Sequence, residues 1–453
     1  MSRLFASAVA AIVVVSACAT QGSEHEFGEL SAPPATWSMA ALDTSPLHAG
    51  WLAAIDDTHL TALVAEALEA NPDLGAARGR LNRARAILSQ TRAAQAPSIR
   101  ASSSGSVTEG FDGGSDTTSY SAAITASWEA DLWGRLASAT EADKRAAASA
   151  EADFQAAQQL IAASTAQAYF LLIEARQLAD VERTNLESLE ETLGFVSIQF
   201  ERGLRSSEDI ALIRADVETA RAGLDLAEQT KRNAARAIET LVGRYPAASL
   251  EVRASSPARP AHSPVGLPAD VLQRRPDVRA AKLSLLAEHT RTKSARADLL
   301  PRLSAQASFS GENSALEDLF DPSALAANLL LNGAQTLFDS GARQARIDAA
   351  DADREIALAS YQSLVLTAFN EVEAELDRGE VLTRRAVFLT RALSEAQDAL
   401  RFSRFRYELG ESDLLNVLSI QQRVASLRAA LARTERARLD QYVALALALG
   451  QDV

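Results

Sequence analysis

The sequence predicts a mainly α-helical protein with a membrane β-barrel, in which each chain supplies four strands and long helices in two structural repeats. Three observations support this prediction. Residues 66–106 recur at 270–310 with a constant offset of 204 and no gap. Long stretches rich in Ala, Leu, Glu and Gln contain no proline, and only 5% of the residues are aromatic. Between the helical stretches, apolar and polar residues alternate with the period of a strand.

The repeat indicates a duplicated unit, because a period near 200 residues is too long for a solenoid. Within it, the tripeptide NPD at 71–73 matches RPD at 275–277. We assign residues 58–242 to the first repeat, 243–266 to a linker and 267–449 to the second repeat. An assembly of such chains should therefore have pseudo-symmetry.

Each repeat contains one long helix, predicted over 135–201 in the first and 342–408 in the second. At 1.5 Å per residue, each would be a rod of roughly 100 Å. A break follows each rod at Gly203 or Gly410, because glycine can form a helix C-cap. Ser207 is predicted to cap the next helix, which reaches the end of the repeat.

A shorter helix opens each repeat, over about 58–95 and 269–300. Each is predicted to end before a proline, Pro97 or Pro301, because proline lacks the backbone N–H that continues a helix. Two short helices placed end to end match the length of one rod. Each repeat can therefore build one rod and one stacked pair of similar length.

Four segments between the helices are predicted to be strands, namely 98–109, 119–131, 301–311 and 325–338, although the last alternates poorly. Their apolar face could pack on a soluble core, or it could face lipid while the polar face lines a lumen. We favour the second interpretation, because the helices are rods and none is free to cover the sheet. Lengths of about 10 to 13 residues also match tilted membrane-spanning strands.

Four strands cannot close a barrel, since the smallest known type has about eight. Copies of the chain must then pool their strands, and three copies would supply twelve. After the N-terminal segment, no run of about 18 apolar residues predicts a transmembrane helix. The hydrophobic pattern thus predicts an oligomer.

The N-terminus has the composition of a secretory signal. A basic residue, a short apolar run and small residues make 1–17 a signal peptide. Ordinary cleavage between small residues is one interpretation. The segment VSAC at 15–18 also resembles the bacterial lipobox, in which the thiol of Cys18 is acylated. We favour the lipobox because Cys18 is the only cysteine in the chain, and residues 18–57 then form a lipidated tether.

Charge and motifs exclude several classes of function. The formal net charge of −14 argues against nucleic acid as a partner. The five histidines are scattered without the spacing of a zinc site, so no metal is expected. The sequence has neither a P-loop nor a nucleophile elbow, and Cys18 is consumed by processing. We therefore expect no enzyme activity and no cofactor other than the lipid on Cys18.

One segment points to a known family. Residues 267–281 read LPADVLQRRPDVRAA and resemble the signature of the outer-membrane efflux lipoproteins, the TolC-like, OprM/NodT-type exit ducts of tripartite multidrug pumps. NPDL at 71–74 and WEADLWGR at 128–135 also fit this pattern, as does the lipobox. The resemblance covers essentially the whole mature chain.

The resemblance implies a homotrimer in the outer membrane of a Gram-negative bacterium, anchored there by lipid. Twelve strands would form the barrel, and twelve helical rods would continue it as an α-barrel into the periplasm. The protein would be a passive exit duct for drugs or other small toxic molecules. A periplasmic membrane-fusion adaptor and an inner-membrane RND transporter would be its partners.

Two alternatives use the same sequence features differently. The chain could be the outer-membrane channel of a type I protein-secretion system, although the lipobox and the 267–281 signature favour small-molecule efflux. A coiled-coil scaffold outside the membrane would account for the rods. It would not explain two pairs of alternating strands at matching places in the two repeats.

The resemblance also implies where an adaptor docks, namely at the two helix breaks, which become the periplasmic tips. The breaks differ in charge, so the adaptor should meet two kinds of groove in alternation. The implied contact residues are Arg202, Gly203, Leu204, Leu409, Gly410 and Glu411.

Many relatives carry the pentapeptide LDAQR after the second tip, where its Asp and Arg help to close the pore. This chain has LSIQQ at 418–422, so Ser419 and Gln422 occupy those positions, and Arg423 follows one step later. Ser and Gln form hydrogen bonds but not a charge-assisted link. We expect a different lock at this gate, with packing of Leu415 and hydrogen bonds around Ser419.

Overall fold

The structure is a computed structural model that describes residues 36–38, 50–109, 117–253, 256–260 and 266–453. It divides into Met1–Ala35 and Thr36–Val453, and all described residues belong to the second unit. Within these ranges, no helix has the length and apolar character needed to cross a membrane. In chain order the elements are α1 (Trp51–Ala54), α2 (Thr58–Ala70), α3 (Pro72–Ala93), β1 (Ser98–Thr108), β2 (Thr117–Ala130), α4 (Arg135–Glu201), α5 (Ser207–Leu241), α6 (Pro268–Arg274), α7 (Pro276–Ala297), β3 (Arg302–Asn313), β4 (Leu325–Ala334), α8 (Ala342–Glu408) and α9 (Leu414–Ala448).

The two long rods are present as predicted. Helices α4 and α8 have 67 residues each, and each turns back into a 35-residue helix, α5 or α9. The turns are made at Gly203 and Gly410, both in the left-handed region with φ of 69° and 77°. Glycine adopts this conformation without a steric penalty, so it ends each rod and starts the hairpin. The cap of α5 is Ser206 rather than Ser207, since the Ser206 Oγ accepts from the backbone N–H of Asp209.

The single helices predicted over 58–95 and 269–300 are wrong, because each is split in two by a proline. Pro72 and Pro276 begin new helices, and the residue before each has an extended ψ of 126° or 120°. The proline ring disfavours the helical conformation of the preceding residue, which explains the breaks. The downstream helices α3 and α7 stop a few residues before the predicted prolines.

The stacking of short helices in pairs is confirmed. The C-terminal end of α5 meets the start of α3, where Asn71 Nδ2 donates to the Leu241 carbonyl over 2.8 Å. The end of α9 meets the start of α7, where Arg275 Nη1 donates to the Ala448 carbonyl over 3.3 Å. We call these contacts the first and second joints. Each repeat therefore builds one continuous rod and one jointed rod.

The four rods lie side by side. Near the sheet the order is α3, α4, α7 and α8, and towards the hairpin turns it is α5, α4, α9 and α8. The largest core joins α1, α2, α4, α5 and α9, and includes Trp51, Leu60 and Phe170. Asp57 links two of these helices, because it caps α2 and accepts a hydrogen bond from the hydroxyl of Tyr169 on α4 over 3.1 Å.

The strands form one antiparallel sheet in the order β1-β2-β3-β4, so β1 and β4 are its open edges. The first three strands start or end one or two residues from the predicted bounds, but β4 ends at Ala334 rather than at 338. Its last ladder partner is Arg302, the first residue of β3. The residue before Arg302 is Pro301, which has no N–H to donate, so the pairing cannot continue.

Candidate functional site: the two-faced sheet and the hairpin tips

The register of the sheet places apolar residues of all four strands on one face. Ile124 lies opposite Phe309, and Ala305 lies opposite Leu331. No helix of the described chain packs across either face, and β1 is exposed throughout. An uncovered apolar band along strands of 10 to 14 residues is what lipid contacts on a membrane barrel. The large apolar residues on this face are Ile99, Val107, Ile124, Trp128, Leu303, Phe309, Leu325, Leu329 and Leu331.

The opposite face of the sheet is polar and internally hydrogen-bonded. The hydroxyls of Ser104 and Ser121 lie 2.7 Å apart across β1 and β2. Ser119 Oγ donates to Glu312 Oε1 across β2 and β3 over 3.1 Å. Leu330 on β4 is the one large apolar side chain on this face of the described sheet. A polar surface backed by an apolar one suits the lumen of a water-filled barrel.

Two tryptophans mark the end of the sheet that joins the helices. Trp128 Nε1 donates to the Gln95 carbonyl over 3.0 Å, and Trp133 Nε1 donates to the Pro301 carbonyl over 2.7 Å. Both rings remain about 40% exposed. Indole rings with a satisfied N–H and an exposed apolar edge are typical of a membrane interface. This end of the sheet therefore has the character of the membrane boundary.

At the other end of the rods are the two hairpin tips, which we define as residues 202–206 and 409–413. Both use the same backbone closure. In the first tip the N–H of Leu204 donates to the Gln199 carbonyl, and in the second the N–H of Glu411 donates to the Arg406 carbonyl, each over 2.9 Å. All six predicted adaptor-contact residues are exposed.

The tips differ in the side chains they present. Leu204 in the first tip is 67% exposed, and its equivalent in the second tip is Glu411. Arg202 corresponds in the same way to Leu409. Each tip thus combines one apolar and one charged side chain, but in the reverse order and with opposite charge. The predicted adaptor role of these residues stays a prediction.

A contact that sequence analysis missed links the first tip to the last turn of α8. The guanidinium of Arg205 lies 4.3 Å from the ring centroid of Tyr407, which is only 4% exposed. Tyr407 also makes an edge contact with Phe195 on α4. Burial raises the pKa of the Tyr407 phenol, and the nearby Arg205 opposes this. The partners are some 200 residues apart, so no local pattern could reveal the pair.

The predicted gate residues lie on exposed parts of α9. Leu415, Ser419 and Gln422 follow each other at helical spacing on one side, and Arg423 is exposed beside them. Ser419 Oγ donates to the Asn416 carbonyl of its own helix over 2.9 Å. Within the described chain these residues are not joined to one another, and their role in closing a pore stays a prediction.

Cys18 lies outside the described residues. Among the residues that are described, no three His, Cys, Asp or Glu side chains are grouped as a metal site would require. The features that can carry function are therefore the two-faced sheet and the hairpin tips.

A sheet with one lipid-compatible face, continued by two long helical hairpins, defines a channel of the outer membrane. The chain belongs to the outer membrane efflux protein family, whose model matches residues 63–244 and 267–451. One matched range falls in each of the two repeats. The prediction of an outer-membrane efflux channel, with a mainly helical fold and barrel strands, is thereby confirmed.

The similarity extends over whole chains. The pyoverdine export outer membrane protein OpmQ of Pseudomonas aeruginosa is 30% identical over 468 residues, covering 99% of this chain and 97% of that protein. The cation efflux system protein CusC of Escherichia coli K12 is 27% identical over 405 residues, covering 89% of each. The solved outer-membrane channel OprN has a TM-score of 0.84 at 28% identity, covering 92% of this chain and 96% of that one. A crystal structure of CusC gives 0.85 at 25% identity, covering 96% and 100%.

Proposed function

We propose that three copies of this chain form a passive exit duct that crosses the outer membrane and the periplasm. The observation that carries the proposal is the two-faced sheet with both edges open. A four-stranded sheet cannot close on itself, and its unpaired edges β1 and β4 are suited to pairing with other copies. A contact between two different edges repeats from copy to copy, and it closes into a ring of three when each copy is rotated by a third of a turn.

The helices support the same arrangement. Helix α8 lies at one side of the row of rods, and α3 with α5 lies at the other. A stripe of α8 with seven-residue spacing carries exposed apolar side chains at Val381, Phe388 and Phe402, with Glu395 between the last two. Seven-residue spacing is the pattern of helices that pack along their length. In the proposed ring, this stripe would pack against α5 of the next copy.

The duct would work with two partners. A periplasmic membrane-fusion adaptor would dock on the hairpin tips, and an inner-membrane RND transporter would supply the energy. The exposed apolar side chains Leu204 and Leu409 at the tips support a protein contact there.

Acylation of Cys18 would anchor each copy to the membrane. A further relative supports it: the probable outer membrane lipoprotein SilC of Salmonella typhimurium is 25% identical over 459 residues, with 99% of each chain covered. After cleavage, Cys18 would be the first residue of the mature chain. Mass spectrometry of the N-terminal peptide should show a mass increase from acyl chains, and an unmodified thiol would contradict the proposal.

The proposal is tested by reconstituting the purified protein in planar bilayers. We expect a trimer by native mass spectrometry and discrete conductance steps after insertion. A stable monomer, or a trimer that never conducts even with its cognate adaptor present, would contradict the proposal.

Docking at the tips is tested separately. Leu204→Arg combined with Leu409→Arg should abolish capture of the adaptor encoded beside this gene, without changing the trimer or its conductance. Leu160→Arg is the matched control, since Leu160 is also exposed but lies some 60 Å along α4 from the tip. Undiminished adaptor capture by the tip variant would contradict the docking site.

A further inference from the structure

An arginine-rich cavity of about 520 Å³ lies where the helices meet the sheet. It is bounded by α3, α4, α7, α8 and the first residue of β3. Its ionisable lining comprises five arginines and only two carboxylates. These residues are Arg135, Arg291, Arg302, Arg343, Arg346, Asp143 and Asp298.

One carboxylate, that of Asp298, is shared by three guanidinium groups. It pairs closely with Arg302, and it lies 3.9 Å from Arg135 Nε and 3.8 Å from Arg346 Nη1. Arg135 has a second partner in Glu129 at 2.7 Å. Arg302 and Arg346 have no other ion pair in the described chain, and their side chains are 52% and 70% exposed. Positive charge therefore remains uncompensated at this end of the cavity.

The remaining arginines are better neutralised. Arg343 pairs with Asp339 over 2.8 Å, and Arg291 pairs with Glu288 and with Asp143. Arg343 and Arg291 are therefore held by their own carboxylates, whereas Arg302 and Arg346 share Asp298 and can bind a further anion.

The position of Arg302 indicates the face of the sheet towards which the cavity opens. Arg302 shares the polar face of β3 with Ser304 and Gln306. In the proposed duct this face lines the lumen, so the cavity opens to the channel at the membrane boundary marked by Trp128 and Trp133. This step rests on the proposed function.

We infer that the cavity binds an anionic oxygen group, a phosphate or a carboxylate. Guanidinium groups bind such oxygens through paired, charge-assisted hydrogen bonds. Arg302 and Arg346 supply the bonds, and Asp298 holds both in place while the cavity is empty. The anion could belong to a molecule passing through the duct or to a phospholipid headgroup of the periplasmic leaflet. Three such cavities would form a ring in the trimer.

The test measures binding of inorganic pyrophosphate to the detergent-solubilised protein by calorimetry at low salt. Arg302→Gln with Arg346→Gln should weaken binding at least tenfold, whereas Asp298→Asn should tighten it by removing the competing carboxylate. Arg401→Gln on α8 is the matched control, since Arg401 is also largely exposed and pairs in the described chain only with Asp398. Binding should weaken as salt is raised.

Equal affinity in the wild type and the double variant would overturn the inference, as would weaker binding by Asp298→Asn in a protein that remains trimeric. A lipid arm distinguishes the two sources of the anion. If phosphatidylglycerol nanodiscs reduce pyrophosphate binding relative to phosphatidylcholine nanodiscs, the headgroup occupies the site. If they do not, the site serves soluble anions. A protein that conducts but does not bind pyrophosphate refutes this inference alone, whereas one that never conducts refutes the proposed function.

Discussion

The first and second joints both bridge a helix break before a proline, but they do so with different side chains. At the first joint Asn71 uses a neutral amide: its oxygen accepts from the N–H groups of Asp73 and Leu74, and its nitrogen donates to Leu241. At the second joint the equivalent Arg275 has no acceptor, so it cannot cap the helix that follows. The repeat thus conserves the break before proline, but it does not conserve the way in which the break is bridged.

Arg275 connects the second joint to the neighbouring rod. Its guanidinium binds Asp277 in the next helix turn and Glu371 on α8, both over 2.6 Å. Burial alone would lower the pKa of Arg275, but these two carboxylates raise it overall. The side-chain hydrogen bonds of Asn71 at the first joint, by contrast, all stay within its own jointed rod. The second joint should therefore contribute more than the first to the folding stability of the packed rods.

The largest expected loss of folding stability comes from removing the guanidinium of Arg275. Arg275 is only 8% exposed, and Arg275→Ala removes three charge-assisted hydrogen bonds, two to Asp277 and one to Glu371, so we expect a destabilisation of about 4 kcal/mol. Asn71→Ala removes a helix cap and one bond across the joint, for about 1–2 kcal/mol. Urea unfolding of the two variants under identical conditions measures the difference. Equal losses would mean that the joints are energetically alike.

A glycine at a joint should be less replaceable than a glycine at a tip. Gly450 and Gly410 both have positive φ, but a Cβ at Gly450 would lie 2.8 Å from the backbone nitrogen of Arg275. A Cβ at Gly410 would meet nothing within 4 Å. We expect Gly410→Ala to cost about 1 kcal/mol from backbone strain alone, and Gly450→Ala about 3 kcal/mol. Similar shifts in the unfolding midpoint would contradict the close packing of the second joint.

Asp440 on α9 gives the second repeat a pH-dependent contribution to stability that the first repeat lacks. Its equivalent in the first repeat is Asn233. Burial raises the pKa of Asp440 to about 6 from an ordinary 3.8, with Arg436 opposing the rise. The folded state thus binds the proton more tightly than the unfolded state. Its contribution to stability is present below about pH 4 and is lost as the pH rises through about 6.

Asp440→Asn should therefore stabilise the protein at pH 7.5 by about 2–3 kcal/mol, because the side chain is 13% exposed and little screened. The gain should disappear below about pH 4. Thermal unfolding at a fixed scan rate from pH 4 to pH 8 measures it. A variant less stable than the wild type at pH 7.5 would show that the ion pair with Arg436 outweighs burial.

The smallest effect is expected at the tips. Arg205 stacks on buried Tyr407, whereas the equivalents of these residues, Ser412 and Phe200, cannot form such a pair. Arg205→Gln should lower stability by about 1 kcal/mol and Arg202→Gln, at an exposed position, by much less. Proteolysis near the tips is a sensitive measure. Identical cleavage rates for the two variants would mean that the stacking contributes nothing.

Composition was enough to predict the rods, because two 67-residue stretches without proline have no local reason to end. The splits at Pro72 and Pro276 were missed because proline is well tolerated in the first helical turn, so the helical pattern continues through it. The end of β4 depends on its partner strand, which begins after Pro301. Non-local partners likewise explain why the Arg205–Tyr407 contact and the arginine cavity could not be predicted.

The two-faced sheet was predictable because alternation is a local property, and its register confirms that the apolar positions of different strands coincide. The predicted tip residues are exposed where the family resemblance places them. The gate could not be derived in the same way. Closing a pore depends on contacts between copies, and a helix pattern such as Leu415, Ser419 and Gln422 does not specify them.

Disulfide cross-linking between the open sheet edges shows directly whether three chains close one barrel. Cys18 is the only native cysteine, so introduced thiols report on their own contacts. Ser102→Cys on β1 is combined in turn with a cysteine at each β4 position that shares its face, namely Ala326, Asn328, Leu330 and Asn332. We predict that at least one pair gives a ladder on denaturing gels that stops at three chains. No cross-linking by any pair, or a ladder that continues beyond three, would contradict a closed trimeric barrel.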